Sequence, residues 1–442
     1  MKINELKDKK ILILGFGEEG MDTYKFLRKL FPNKILGIAD KFKIQDLKSK
    51  AKDLIKKDKN LEFYFGENYL KAIKKYDTVI KSPGIFIHLP EVEKAFNEGK
   101  ITSQTEIFFE NIQSKIIGIT GTKGKGTTAS LIYQIFKKAG IKVYLIGNIG
   151  KPVLSFLFRK RQKNEVFIYE LSSHQLMTLK TGPHVAIFVN IFPDHLDYYK
   201  NFKEYFFAKA NICKYQKKDG CFIYNADYLI IEKIAKKIQA KKIPFSLDFK
   251  KINQFKKFIF EKKVNIGSTI PAVIAAKLFK ISDEKIIAGI KNFKNQKHRL
   301  EFIGKFKGID FYDDSAATIP EATILAIRVL KDKLETLILG GSEKNLDFSN
   351  LAQEILKTKI KTIILFPSTG QKIYEEIKKI KNKNIQKINF LNVNNMKDAV
   401  VLAYKFTSLN KICLLSPASA SFGIFKDYKD RGCLFKKFVA QG

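Results

Sequence analysis

The sequence predicts an α/β protein of three domains in series. Three observations carry that expectation. The chain has 442 residues, more than one hydrophobic core usually serves. Short apolar runs alternate with amphipathic stretches, as parallel strands alternate with the helices that connect them. Two of those runs break into glycine-rich turns just before a helical pattern, I-L-I-L-G-F-G-E-E-G at 11–20 and I-I-G-I-T-G-T-K-G-K-G at 116–126.

The first domain is expected over 1–112. Its opening strand runs into Gly15, Gly17 and Gly20 in the G-x-G-x-x-G spacing of a Rossmann-like unit, followed by a helix through Leu30 and a second strand over 35–40. Asp40 ends that strand, where a carboxylate can grip a sugar or base. A further strand over 78–81 stops at Ser82-Pro83-Gly84, a tight turn at a carboxyl edge. Together these fit a domain that holds a nucleotide-like group.

The second domain, expected over 113–297, opens on a phosphate cradle at 115–129. Gly121, Gly124 and Gly126 are expected to take backbone angles closed to other residues. The N–H groups of Thr122, Lys123 and their neighbours, with the start of the next helix, then face a polyanion, and Lys125 supplies charge. The match to the common P-loop pattern is imperfect. Gly118 lies one residue too far from Gly124, and Gly126 stands where a metal-binding Ser or Thr is expected, so the metal ligand must be sought elsewhere. Strands over 142–146, 166–170 and 185–190 give a parallel sheet with its site along one edge. A lysine-rich stretch over 240–264 reads as irregular and leads to a helix around 270–280. The third domain, expected over 298–442, repeats the Rossmann-like pattern with strands over 309–313, 336–339, 362–365 and 412–415.

Composition excludes some classes. The formal charge of +37 comes from 81 Lys+Arg against 44 Asp+Glu and would suit nucleic acid or an anionic membrane. Its lysines, however, are spread through every segment on solvated helix faces, with no arginine-rich arm or aromatic–basic module, so nucleic acid is not expected as the main partner. Cys213, Cys221, Cys413 and Cys433 have no C-x-x-C spacing and read as small core residues of a reducing compartment. No run approaches the roughly 18 apolar residues of a membrane span, and the N-terminus has no apolar signal core. A cytoplasmic protein off the membrane is the expectation.

Two segments gather ionisable side chains at strand ends. Glu170 stands in E-L-S-S-H-Q-L; a carboxylate there, beside a triphosphate, suits Mg²⁺, which takes oxygen ligands. Asp194, His195 and Asp197 crowd into N-I-F-P-D-H-L-D at the next strand end. Lys209 follows on a helix in F-A-K-A-N-I.

These motifs, with H-R-L-E, D-D-S-A-A-T, L-G-G-S-E-K-N-L-D-F and L-S-P-A-S-A-S-F-G-I-F-K-D-Y-K-D-R-G, occur in one order along nearly the whole chain. Together they resemble the Mur ligase family of peptidoglycan synthesis, and most closely its glutamate-adding members. The resemblance implies an ATP-dependent ligase that joins D-glutamate to UDP-N-acetylmuramoyl-L-alanine through an acyl phosphate, acting as a monomer. It implies an ATP site formed by Gly121, Thr122, Lys123, Gly124, Lys125, Gly126, Thr127, Asn265, His298, Arg299 and Asp314, with Lys125 on the β and γ phosphates and Asp314 on the ribose. Two Mg²⁺ ions fall to Thr127, Glu170, His195 and Lys209, the lysine having reacted with CO2 to become a carbamate. The UDP substrate falls to Gly15, Gly17, Asp40, Ser82, Pro83, Gly84, Asn148 and His195. The incoming glutamate falls to Thr318, Lys344, Ser421, Phe422 and Tyr428.

The chain departs from the family pattern at Gly126, at Ala316 in place of a lysine, and at Ser268 in place of an asparagine. Glu18 and Glu19 also stand in the loop expected to approach a diphosphate. A folylpolyglutamate-type ligase is the alternative within the superfamily, and its first domain would not be expected to retain the signatures at 11–20 and 82–84.

Overall fold

The computed structural model describes residues 1–42, 58–147, 153–196, 198–247, 250–261, 264–293, 297–343, 346–380 and 382–442. Asn148, Asp197 and Lys344 lie outside the described residues. The chain forms two compact units, Met1–Phe293 and Lys294–Gly442.

The first unit holds two sheets. Strands β1 (Ile11–Leu14), β2 (Leu36–Asp40), β3 (Leu61–Phe65), β4 (Thr78–Lys81) and β5 (Ile101–Thr102) pair in parallel in the order β3-β2-β1-β4-β5. Strands β6 (Lys115–Thr120), β7 (Val143–Gly147), β8 (Val166–Glu170), β9 (Val185–Phe188), β10 (Cys221–Asn225) and β11 (Lys241–Phe245) pair in parallel in the order β11-β10-β9-β6-β8-β7. The strands β1, β8 and β9 are buried at every position. This is why they read as unbroken apolar runs: helices cover both faces of a parallel sheet.

One buried cluster runs from Ile11, Ile13 and Leu36 of the first sheet to Phe167 and Tyr169 of the second. Phe108 meets both of these rings edge-on, at 5.4 Å and 5.8 Å between centroids. The first two expected domains therefore share apolar core within one unit.

The second unit carries one sheet: β12 (Glu301–Phe306), β13 (Ile309–Asp313), β14 (Leu334–Gly340), β15 (Thr362–Phe366), β16 (Asn389–Asn392) and β17 (Ile412–Leu415), in the order β12-β13-β17-β14-β15-β16. Only the edge strand β12 runs antiparallel to its neighbour; the other pairings are parallel. The fold is α/β with parallel sheets, as the alternating pattern predicts.

The lysine-rich stretch expected to be irregular instead begins as β11, paired with β10 from Lys241↔Cys221 to Phe245↔Asn225. An edge strand tolerates exposed Lys241 and Lys242 and a proline at 244, because one side of its ladder has no partner to satisfy. A short helix, Lys256–Glu261, follows. The helix expected at 270–280 spans Ile266–Leu278. Cys213 and Cys413 are buried as expected, whereas Cys433 is exposed.

Candidate active site

The phosphate loop joins β6 to the helix Lys125–Lys138. Gly124 caps that helix in the left-handed region at φ +79, and Gly121 sits at φ +154. A Cβ on Gly124 would lie 3.0 Å from the Ser268 hydroxyl, so both backbone angle and space select glycine. Gly126 differs from expectation: it is the second residue of the helix, and the loop is shaped by two glycines rather than three.

The loop is clamped by the segment that follows β9. Asn190 Oδ1 accepts from the Lys123 N–H at 3.0 Å, and its Nδ2 donates to the Lys123 carbonyl at 2.9 Å. The Thr122 N–H donates to the Asn190 carbonyl at 3.1 Å, and the Thr122 hydroxyl bridges Phe192 and the Tyr205 hydroxyl. Lys125 Nζ donates to the carbonyls of Gly121 and Thr122, at 2.9 Å and 3.0 Å. The helix N-terminus thus carries lysine charge and no acidic residue in its first turn. This is a positive cradle of the kind that binds phosphate.

Around it lie the groups singled out at the strand ends. Glu170 closes β8 and is buried, and among the described residues its Oε2 has no hydrogen-bond partner. A buried carboxylate oxygen without a donor is costly, and a divalent cation is the partner that would satisfy it. Asp194 pairs with Lys123 at 3.8 Å and accepts from the His195 N–H at 3.0 Å. Burial works to raise the Asp194 carboxyl, but Lys123, His195 and Lys125 together hold it below the ordinary carboxylate range.

His195 occupies the left-handed region at φ +56, rare for a non-glycine, and its carbonyl is pinned by the N–H groups of Tyr198 and Tyr199 at 2.9 Å and 3.0 Å. Desolvation pushes its imidazole pKa down, against Asp194, and the charges of Lys209, Lys123 and Lys125 push it further. At neutral pH the ring therefore keeps a lone pair to offer.

Lys209, on the helix Phe202–Lys214, is among the largest fully buried side chains. Its Nζ donates to the Gly121 carbonyl at 2.9 Å and lies 4.7 Å from the centre of the Tyr205 ring. Burial, then the charges of Lys125 and Lys123, lower its pKa well below the usual lysine value, opposed by Asp194 and Glu170. Thr127 is half-buried on the first turn of the phosphate-loop helix. Asn265 caps the helix Ile266–Leu278 through Ser268 N at 3.1 Å, which sets Ser268 against Gly124.

In the first sheet, Gly15 takes φ +90 directly after β1, and its carbonyl accepts from the Ser82 hydroxyl at 2.7 Å. The turn Ser82-Pro83-Gly84 is thereby tied to the loop containing Gly17. Asp40 is buried, and its two oxygens accept from the N–H groups of Phe16 at 2.6 Å and Phe42 at 3.1 Å. The carboxylate thus braces the glycine loop, a task that its place at a strand end did not announce. Glu19 turns to Gln175 of the E-L-S-S-H-Q-L segment, 3.0 Å away. Burial raises its pKa despite Gln175 and Lys81, which eases the electrostatic conflict expected of an acid in this loop.

In the second unit, His298 Nδ1 lies 2.7 Å from Asp313 Oδ2, and Lys436 joins Glu301 and Asp313 beside them. The trio His298, Glu301 and Asp313 has the spacing of a metal cluster, but the Lys436 ammonium already supplies its cation. Arg299 is half-buried beside it. Asp314 accepts from the Leu300 N–H at 3.0 Å and the Ser416 hydroxyl at 2.8 Å, and burial raises its pKa to about 7. Thr318 and Tyr428 are half-buried, Ser421 is buried and Phe422 is exposed.

Asn190, Tyr205 and Arg431 were not singled out in the sequence. Tyr205 could have been found, since it stands one helical turn before Lys209; Asn190 and Arg431 lie inside the N-I-F-P-D-H-L-D and K-D-Y-K-D-R-G motifs, but their roles were not legible because their partners are distant in the chain.

Residues 119–304 match the Mur ligase middle domain. The chain is 32% identical to the UDP-N-acetylmuramoylalanine–D-glutamate ligase of Acetivibrio thermocellus, over 98% of this chain and 97% of that one. It is 34% identical to the ligase of the same name from Clostridium acetobutylicum, again over 98% and 97%. Among solved structures, MurF ligase from Thermotoga maritima in complex with ADP superposes with a TM-score of 0.58 at 14% identity, covering 100% of this chain and 98% of that one. A pseudomurein peptide ligase type C from Methanothermus fervidus gives 0.56 at 18% identity, covering 97% and 100%.

Proposed function

Because the chain belongs to the Mur ligase family, as its full-length kinship with the D-glutamate ligases establishes, we propose that it joins D-glutamate to UDP-N-acetylmuramoyl-L-alanine at the expense of ATP. The observation that carries the reading is the convergence of Lys125, Lys209, Glu170 and His195 on one phosphate loop.

A carboxylate resists attack by an amine, because its charge repels the nucleophile and it has no leaving group. Transfer of the γ-phosphoryl group of ATP to the alanyl carboxylate supplies one, and the glutamate amine then displaces phosphate. Two anions must first approach each other, against about 4 kcal/mol per charge pair at 4 Å and an effective dielectric near 20. Lys125 and the loop N–H groups offset this on the phosphate side. Glu170, His195 and Thr127 would hold Mg²⁺, which when bound neutralises charge on the transferring group. The orphaned Glu170 Oε2 fits that role.

Lys209 fits the reaction with CO2 that the family resemblance implies. Its lowered pKa favours the neutral amine, which is the form that reacts. The lysine charges that disfavour an ammonium at this place favour a carbamate there.

In this reading residues 1–112 serve the UDP substrate, 113–297 serve ATP and 298–442 serve the amino acid, with Asn148 and Lys344 among the substrate contacts. The protein works as a monomer in the cytoplasm. Among the described residues no helix is long and apolar enough to cross a membrane.

The test is product mass after incubation with ATP, Mg²⁺, UDP-N-acetylmuramoyl-L-alanine and each candidate amino acid. The expected result is one product, formed with D-glutamate, and transfer of a labelled alanyl carboxyl oxygen into inorganic phosphate. Turnover of a folate in place of the UDP substrate would overturn the reading.

A further inference from the structure

We infer that Arg431 is the positioning residue of the amino-acid pocket, holding the Ala420–Ser421 peptide so that its N–H meets a carboxylate of the incoming glutamate. The inference rests on the reading above, which gives Ser421 and Phe422 to that substrate.

Arg431 lies on the first turn of the helix Tyr428–Gln441, which Asp427 caps through the N–H groups of Lys429 and Asp430. It is 0% exposed. Its guanidinium spans two chain segments more than a hundred residues apart. Nε donates to the Ser315 hydroxyl at 2.9 Å and Nη2 to the Ser315 carbonyl at 2.8 Å. Nη1 and Nη2 both donate to the Ser419 carbonyl at 3.1 Å, and Nη1 reaches the Ala420 carbonyl at 3.3 Å. The D-D-S-A-A-T and L-S-P-A-S-A-S segments are thus fastened to one cation.

The neighbouring backbone depends on this closeness. The Ser342 N–H also donates to the Ala420 carbonyl, at 2.9 Å. A Cβ on Gly341 would lie 2.1 Å from that carbonyl oxygen and 3.2 Å from Nη1. Ala418 is held at φ +56, an angle that costs a non-glycine residue energy unless its surroundings enforce it. The Thr369 hydroxyl, 2.7 Å from Ser419 Oγ, anchors the same segment.

The charge of Arg431 has an electrostatic consequence. All of these acceptors are neutral, and among the described residues no carboxylate forms an ion pair with it. In a trans peptide the C=O and N–H point in opposite directions. A guanidinium that captures the Ala420 carbonyl therefore turns the Ser421 N–H away from itself. It also places a buried positive charge behind that N–H, offset in part by Asp313 and Asp314 but held in a low-dielectric interior where its field is felt by an approaching anion.

The experiment is steady-state kinetics of Arg431→Lys and Ser315→Ala with all three substrates varied. Lysine keeps the charge and loses the fork, so the KM for D-glutamate should rise about ten-fold, the loss of one charged hydrogen bond. Ser315→Ala removes the Nε acceptor together with the hydroxyl's bond to the Tyr428 carbonyl at 2.8 Å, and should raise this KM by about three-fold. In both variants the KM values for ATP and the UDP substrate should stay within about two-fold, and millimolar guanidinium should lower the glutamate KM of Arg431→Ala. If Arg431→Lys does not fold, Ser315→Ala decides alone. A glutamate KM left unchanged, or an equal rise for all three substrates, overturns the role of Arg431. Failure of the unmodified protein to consume D-glutamate would instead sink the ligase reading itself.

Discussion

Lys125 and Lys209 share one acceptor: each ammonium donates to the Gly121 carbonyl oxygen at 2.9 Å. Two cations held to a single carbonyl repel each other, and Lys209 yields by losing basicity, through its burial first and Lys125 second, with Asp194 and Glu170 opposing both. The same arrangement suits phosphate, since a polyanion bound there would relieve the repulsion between the two lysines.

Lys209→Met should separate stability from activity. Removing a buried ammonium removes its desolvation cost and its repulsion from Lys125. A lysine whose pKa falls on folding lowers stability wherever the unfolded chain binds the extra proton, and that penalty fades as pH rises toward the unfolded value. The variant should therefore melt higher than the parent at pH 7, with the gap narrowing as pH approaches about 10. Ligase turnover should fall by at least about a hundred-fold. A lower melting temperature at pH 7 would contradict the assigned cost.

Asn190→Ala should loosen the phosphate loop without touching the first sheet. It removes the two bonds to Lys123 at 3.0 Å and 2.9 Å. The KM for ATP should rise about ten-fold, as expected for two neutral hydrogen bonds of about 1 kcal/mol each, partly replaced by water. The KM for the UDP substrate should hold. Kinetics with each substrate varied in turn check both.

Gly124→Ala should destabilise the protein by about 1–2 kcal/mol, the cost of a left-handed angle for a residue with a Cβ. Adding Ser268→Ala relieves the contact at 3.0 Å but leaves the angle. The double variant should recover only part of the loss in urea unfolding; full recovery would place the cost in the contact alone.

Asp314 should make the second unit lose stability as pH rises from about 4 to about 7. Its carboxyl binds a proton up to about pH 7 when folded, against an unfolded value near 4. Between those values the folded state holds the extra proton, so stability falls as pH rises through this window. Asp314→Asn keeps an acceptor for the Leu300 N–H and should flatten the decline. Thermal melts of both proteins from pH 5 to about 8 check it.

Much of the architecture was legible in the chain. Strands at 78–81, 166–170, 309–313 and 412–415 fall where the apolar runs place them, because strands covered on both faces are largely apolar. The edge strand β11 was hidden for the complementary reason: half-solvated and rich in lysine, it shows no such run.

The candidate site divides along the same line. Gly121, Gly124, Lys125, Glu170, His195 and Lys209 stand in short motifs whose chemistry is local, so the order of residues names them. Asn190 and Arg431 stand in quoted motifs without their partners being legible, and Asp40 and Asp314 hold backbone N–H groups that no spacing foretold. Residue type and periodicity determine which strands form and which motifs lie at their ends. Which buried polar group finds which partner is decided only when distant segments pack, since hydrogen bonds act over about 3 Å while the chain separates their halves by scores of residues.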